Sequence, residues 1–217
     1  MGLAKEGLRE ILLSTLVLGA AMWGLCYVHW TLALIPAVIL VWVFSFFRDP
    51  KRITNVDDNI LVSPADGTVT EIVHLDHHEQ VGGPAIRVGI FLSIFNVHIN
   101  RAPCAGTVRN VSYQPGKFLD ARHEDAGRLN ESNTLIIEPA SPIAGPVVVR
   151  QVSGLIARRI ICHAKAETKL VCGERFGLIK FGSRTELIVP DNQGNTVISK
   201  VGDKVQAGLT TMMTCNN

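Results

Sequence analysis

"RFGLIKFGSRTELIVP", residues 175–190, sets two apolar, strand-like runs on either side of Gly182-Ser183. Gly-Ser is a two-residue pair that closes β-hairpins, so the stretch reads first as a hairpin within a β-rich domain. The serine at its tip is also placed where its hydroxyl can bend back on the carbonyl of Gly182. The same pair is therefore a candidate for chemistry on its own backbone.

Working outward, short runs of the same kind recur between Gly, Pro, Asn and Asp: "GTVTEIVHL", "AIRVGIFLSIFNVHI", "GTVRNVSY", "NTLIIEP", "GPVVVRQVSG" and "NTVISKVG". Their spacing predicts an α+β chain that is mostly β, with an antiparallel β sandwich or barrel-like domain over residues 53–217. One weak helical candidate lies at 118–128 and reads equally well as a polar loop. "SPADGTVTEI" and "APCAGTVRNV" echo each other, and "VGDKVQAGL" has the turn grammar of half a biotinyl or lipoyl carrier. Lys204 does not occupy the Met-Lys hairpin tip that a carrier needs, so the echo supports a compact β fold and not a carrier.

The first fifty residues differ in kind. Ile11 to Phe47 contains no Asp, Glu, Lys or Arg. A single helix of that length would overrun a hydrocarbon core of about 30 Å. Two spans, 11–28 and 31–47, turning near His29-Trp30, fit better, as an apolar helical hairpin over residues 1–52. Lys5 and Arg9 precede it and Arg48, Lys51 and Arg52 follow it, which places both ends in the cytoplasm. A hairpin re-entrant in one leaflet is the alternative. A cleaved signal peptide fits less well, because a second apolar run follows at once.

Across 217 residues the net charge is +2, which excludes a dedicated nucleic-acid binder. The five cysteines are scattered, with no C-x-x-C pair, which suits a reducing compartment and offers no metal site.

Three polar residues stand out. Asp66 lies in the turn "SPADGTV", His98 ends a long apolar run, and Ser183 follows Gly182. Each alone has an ordinary structural reading: a turn, a satisfied core histidine, a hairpin tip. Together they are the types that activate a hydroxyl. No G-x-S-x-G elbow surrounds Ser183, so its natural first target is the Gly182 carbonyl.

"GERFGLIKFGSRTEL" resembles the processing site of the phosphatidylserine decarboxylase proenzymes, in the short form with Phe-Gly-Ser-Arg. "FFRDPKR", "SPADGTV", "FNVHINRAPCAGTV", "YQPGKF" and "IARRI" occur in that family's order. The resemblance implies self-cleavage between Gly182 and Ser183 into a β chain (1–182) and an α chain (183–217) that remain together as a heterodimer. Ser183 would become a covalent pyruvoyl group that forms a Schiff base with the substrate amine, with no metal or added cofactor. His98 would act as base and Asp66 would orient it. Phosphatidylserine would be converted to phosphatidylethanolamine at the cytoplasmic side of the cell membrane. Arg48, Lys51 and Arg52 would attract anionic lipid, and Arg158 and Arg159 would bind substrate phosphate or carboxylate.

Two departures stand against the family pattern. Longer members carry a histidine where this chain has Phe95, and "NESN" (130–133) replaces Asn-Glu-Arg-Asn. A membrane-anchored serine hydrolase using Ser183, His98 and Asp66, and a non-enzymatic β-sandwich adaptor, are the competing readings.

Overall fold

A computed structural model describes residues 2–121, 123, 125–140, 142–155, 159–180 and 182–215. The chain divides into two compact units between Lys51 and Arg52.

In the first unit, strand β1 (Gly2–Leu3) leads through a 3₁₀ turn into helix α1 (Leu8–Val28). A second 3₁₀ turn (Trp30–Ala33), helix α2 (Leu34–Phe46) and strand β2 (Arg48–Asp49) follow. Residues Lys5–Val28 are long and apolar enough to cross a membrane. Leu12 and Leu13 are exposed and Ile11 is buried, and at about 100° per residue these three face different sides, so the helix is apolar around its circumference rather than along one stripe. The sequence placed the second helix from residue 31. It begins three residues later, because the chain first closes a 3₁₀ turn in which the His29 side chain accepts from the Thr31 amide. Pro36 sits in the first turn of α2, where no hydrogen bond is lost.

The two ends of this hairpin are pinned together. β1 and β2 pair antiparallel, with Gly2 opposite Asp49 and Leu3 opposite Arg48. The Ala4 amide donates to the Phe47 carbonyl at 2.8 Å. A Cβ on Gly7 would lie 2.2 Å from the Phe47 ring, so only glycine lets that ring pack at the start of α1.

The second unit contains β3 (Ile60–Val62), β4 (Gly67–His78), β5 (Gly83–Leu92), β6 (Ile99–Arg101) and β7 (Gly106–Gln114). Among the described residues, the four-residue helix α3 (Ala126–Leu129) is what forms of the 118–128 candidate, and it begins late. β8 (Ser132–Pro139), β9 (Val147–Val152), β10 (Arg159–Cys162), β11 (Lys169–Leu170) and β12 (Arg175–Lys180) come next. β13 (Ser183–Pro190), β14 (Asn195–Val197), β15 (Lys204–Val205) and β16 (Thr211–Cys215) complete the fold. Eight strands make one curled antiparallel half-barrel in the order β11-β7-β8-β9-β13-β5-β4-β15. Two three-stranded sheets, β10-β12-β6 and β14-β16-β3, accompany it.

The repeated Pro-x-x-Gly-Thr-Val is now placed. It starts β4 and β7, second from either edge of the eight-stranded sheet. β15 pairs with the Gly-Thr of one copy (Val205 opposite Gly67) and β11 with that of the other (Leu170 opposite Gly106). In each copy the glycine is required, because a Cβ would lie 2.2 Å from the Phe91 carbonyl or 2.4 Å from that of Glu138.

Period-two alternation builds the core. Val88, Ile90 and Leu92 of β5, Leu135 and Ile137 of β8, Val147 and Val149 of β9, and Leu187 and Val189 of β13 point to one face and are buried. The 85–99 run, one strand by hydropathy, is broken by a turn at 93–96 in which Asn96 Oδ1 accepts from the Ser93 amide (2.9 Å) and hydroxyl (2.8 Å).

Candidate active site

Residues 175–190 are not a hairpin. β12 lies between β10 and β6 in a three-stranded sheet, whereas β13 lies between β9 and β5 in the eight-stranded one. Gly182-Ser183 is therefore a crossing from sheet to sheet, and Gly182 takes a left-handed φ of 56° there. A side chain at that φ would be strained.

The bond between these residues is tightly framed. Ser183 pairs with Leu92 of β5 and is fully buried. Its hydroxyl has no hydrogen-bond partner among the described residues. An unmet buried hydroxyl costs about 1–3 kcal/mol, a penalty that persists where the group serves chemistry. The Gly182 carbonyl presses on Gly154, where a Cβ would lie 2.1 Å from the oxygen. Beside the bond opens a cavity of about 360 Å³ lined by Phe91, Ser93, Ile94, Asp120, Ala121, Leu155 and Gly182. Asp120 is the one ionisable side chain among its described lining residues.

His98 is fully buried directly after the 93–96 turn. Its Nδ1 lies 3.0 Å from the Asn96 carbonyl, which fixes the proton on Nδ1 and leaves Nε2 as the basic nitrogen. Its own carbonyl accepts from Ile179 N, four residues before Ser183. His98 and Ser183 thus flank the same turn and crossing.

Asp66 is held otherwise than the sequence reading expects. Both carboxylate oxygens bind Arg52, at 2.5 and 2.8 Å, and Oδ1 also accepts from the Ala207 amide at 2.8 Å. The link to His98 runs through backbone: the Pro64 carbonyl of the Asp66 turn accepts from the Arg101 amide and Asn100 Nδ2 on β6, the strand that follows His98. Arg52, expected among the lipid-facing cations, has a side chain only 7% exposed and is engaged by Asp66. Its charge is not available to a membrane.

A buried polar chain crosses beneath the site. Asn133 Nδ2 donates to Gln151 Oε1 (3.0 Å), Gln151 Nε2 to Asn100 Oδ1 (2.9 Å), and Asn100 Nδ2 to Thr185 Oγ1 (3.0 Å). It ties β8, β9 and β13 of the large sheet to β6 of the small one. Of the set, the sequence offered only polar letters inside apolar runs. Arg159 is exposed opposite Lys180, and Arg158 lies outside the described residues. Phe95 is 69% exposed.

On the opposite face of β13, Arg184 bonds Glu71 and Glu186. Arg150 lies 3.8 Å from Glu186. Burial, with Arg87 and Arg184 nearby, holds the Arg150 guanidinium below its ordinary value, although Glu186 opposes this. No cluster of three or more metal-ligating side chains occurs among the described residues.

The chain's relatives are decarboxylases, and so is the family it falls in. The sequence profile "Phosphatidylserine decarboxylase" matches residues 39–212, and the chain belongs to that family. A phosphatidylserine decarboxylase proenzyme of Rhodopirellula baltica is 42% identical over 207 residues, covering 95% of this chain and 85% of its own length. One from Geotalea uraniireducens is 44% identical over 201 residues (90% and 87%). One from Syntrophus aciditrophicus is 40% identical over 177 (82% and 81%).

Proposed function

We propose that this chain cleaves itself between Gly182 and Ser183 and then decarboxylates phosphatidylserine to phosphatidylethanolamine at a membrane. The carrying observation is the Ser183 hydroxyl, buried and unpartnered among the described residues beside a left-handed Gly182. A hydrolase serine must meet an outside ester, and a fully buried hydroxyl does not. A hydroxyl next to its own backbone carbonyl has a target already in place.

His98 takes the Ser183 hydroxyl proton as Oγ attacks the Gly182 carbon. The C–N bond breaks, leaving an ester to Oγ and a free amine on residue 183. Loss of the Ser183 α-proton expels Gly182 as a carboxylate. The dehydroalanine that remains takes up water, releases ammonia and leaves a pyruvoyl terminus on fragment 183–217. That group supplies a ketone able to condense with the substrate amine and to take up the electrons left by departing CO2.

The residues present fit this group. The crossing exposes Gly182 to the cavity, Asp120 offers the ammonium headgroup a carboxylate, and Gly154 leaves room at the scissile carbonyl. His98 is the proposed catalytic base. Asp66, through Arg52 and the 63–66 turn, is a positioning residue. The hairpin lies in the cell membrane with both ends on the cytoplasmic side, and the two fragments stay together, because β13 is the seventh chain segment of the large sheet and is bonded on both edges.

The test is the mass spectrum of purified protein. Two fragments are expected, 1–182 and 183–217, the smaller lacking its amino-terminal nitrogen, and Ser183→Ala is expected to stay whole. Normal scission of that variant, or full activity from an uncut chain, would refute the reading.

A further inference from the structure

The cavity beside Gly182 has a mouth of unusual composition for a soluble surface. Leu155 lines the cavity and is nevertheless 65% exposed, so it stands at the opening. Phe95, next to the lining residue Ile94, is 69% exposed, and Phe118, two residues before the lining residue Asp120, is 39% exposed. Three separate segments therefore carry an exposed large apolar side chain at, or within two residues of, the cavity lining. Such a cluster at a binding groove marks a surface that meets something apolar.

The rim is held in place by hydrogen bonds. Phe95 sits at the tip of the 93–96 turn, where the Asn96 amide donates to the Ser93 carbonyl at 2.9 Å and Asn96 Oδ1 binds back to Ser93. Leu155 follows Gly154, which abuts the Gly182 carbonyl. Both apolar residues are thus mounted on the frame that holds the scissile bond. The exposed cation Lys117 precedes Phe118, and the exposed Arg159 pairs with Lys180, two residues before the cavity-lining Gly182. Aromatic and aliphatic tips with basic neighbours are the chemistry of a protein surface that sits at a phospholipid headgroup boundary.

We infer that the catalytic unit docks on the phospholipid bilayer through this rim. Phe95 and Leu155 enter the acyl region at headgroup depth, and Lys117 and Arg159 meet lipid phosphates. A serine headgroup then reaches the cavity while its acyl chains stay in the membrane. The inference rests on the phospholipid reading above and adds a membrane contact made by residues 95, 118 and 155, separate from the apolar hairpin.

Phe95 does not line the cavity, so it tests docking apart from chemistry. The full-length, self-cleaved protein is assayed on phosphatidylserine in phosphatidylcholine vesicles and on a short-chain phosphatidylserine kept monomeric. Phe95→Ser is expected to lose about tenfold or more of its vesicle activity, the scale set by one aromatic side chain no longer buried. Its activity on the monomeric lipid should stay within about twofold of wild type, and Phe95→Leu should recover most of the vesicle rate. Unchanged vesicle activity, or an equal fall on both substrates, overturns the docking surface. A wild-type protein that cleaves itself but decarboxylates neither substrate refutes the underlying function, a result distinct from either.

Discussion

Gly154 shows how little a single residue can announce in sequence and how much it can decide in space. It follows the apolar run of β9 as an ordinary strand end. In the folded chain it leaves room for the Gly182 carbonyl, since a Cβ there would lie 2.1 Å away from that oxygen. Gly154→Ala should displace the Gly182 carbonyl and slow the proposed self-cleavage by about tenfold or more, equivalent to about 1.4 kcal/mol in the transition state. Gly154→Val should slow it further. The rate of appearance of fragment 183–217 in a pulse of synthesis measures this, and wild-type rates in both variants would remove Gly154 from the site. Ser183 and Gly182 were legible because a residue pattern names them. Gly154 was not, because its role is a close approach across 28 residues of sequence, and only coordinates report that.

At the scale of elements, alternation identified the strands and failed on their partners. Residues 175–180 and 183–190 are both strands, as their apolar runs predict, but they belong to different sheets. A two-residue linker is compatible with a hairpin and with a crossing, and the left-handed Gly182 serves either. The Pro-x-x-Gly-Thr-Val echo was informative, because the same close approach to a neighbouring strand carbonyl, one that a Cβ would turn into a clash, recurs at both ends of the large sheet. The Arg52–Asp66 pair was misread for the opposite reason: a basic residue after an apolar helix has a ready membrane explanation, and its partner lies 14 residues on. With side chains 7% and 9% exposed, breaking this pair leaves a buried charge, at a cost of about 3–5 kcal/mol. Asp66→Asn should therefore lower the unfolding midpoint and retard cleavage. The double variant Arg52→Met/Asp66→Leu removes both charges and should regain most of the stability. If Asp66 acts through the turn, cleavage returns with stability; if it bears directly on His98, stability returns and cleavage does not. Denaturation and fragment yield measured on the same samples separate the two.

For the molecule as a whole, the hairpin and the catalytic unit demand different surroundings, and the hairpin's own ends report its topology. α1, at 21 residues, is about 31 Å long, close to the hydrocarbon thickness of about 30 Å. The returning limb is shorter, 13 α-helical residues preceded by a four-residue 3₁₀ turn, together about 27 Å. Because β1 pairs with β2, the entry and exit of the hairpin lie together, and a membrane that admits one end on the cytoplasmic face must hold the other there as well. Lys5 and Lys51 are both exposed, so each can carry a reporter cysteine in a Cys26→Ala background. In inverted membrane vesicles Lys5→Cys and Lys51→Cys should both react with an impermeant maleimide, and in right-side-out vesicles neither should. Trp30→Cys, at the turn, should show the reverse pattern if α1 crosses the bilayer. Opposite sidedness for residues 5 and 51 would contradict the β1–β2 pairing itself, whereas same-side labelling of all three positions would mean that the hairpin returns within one leaflet.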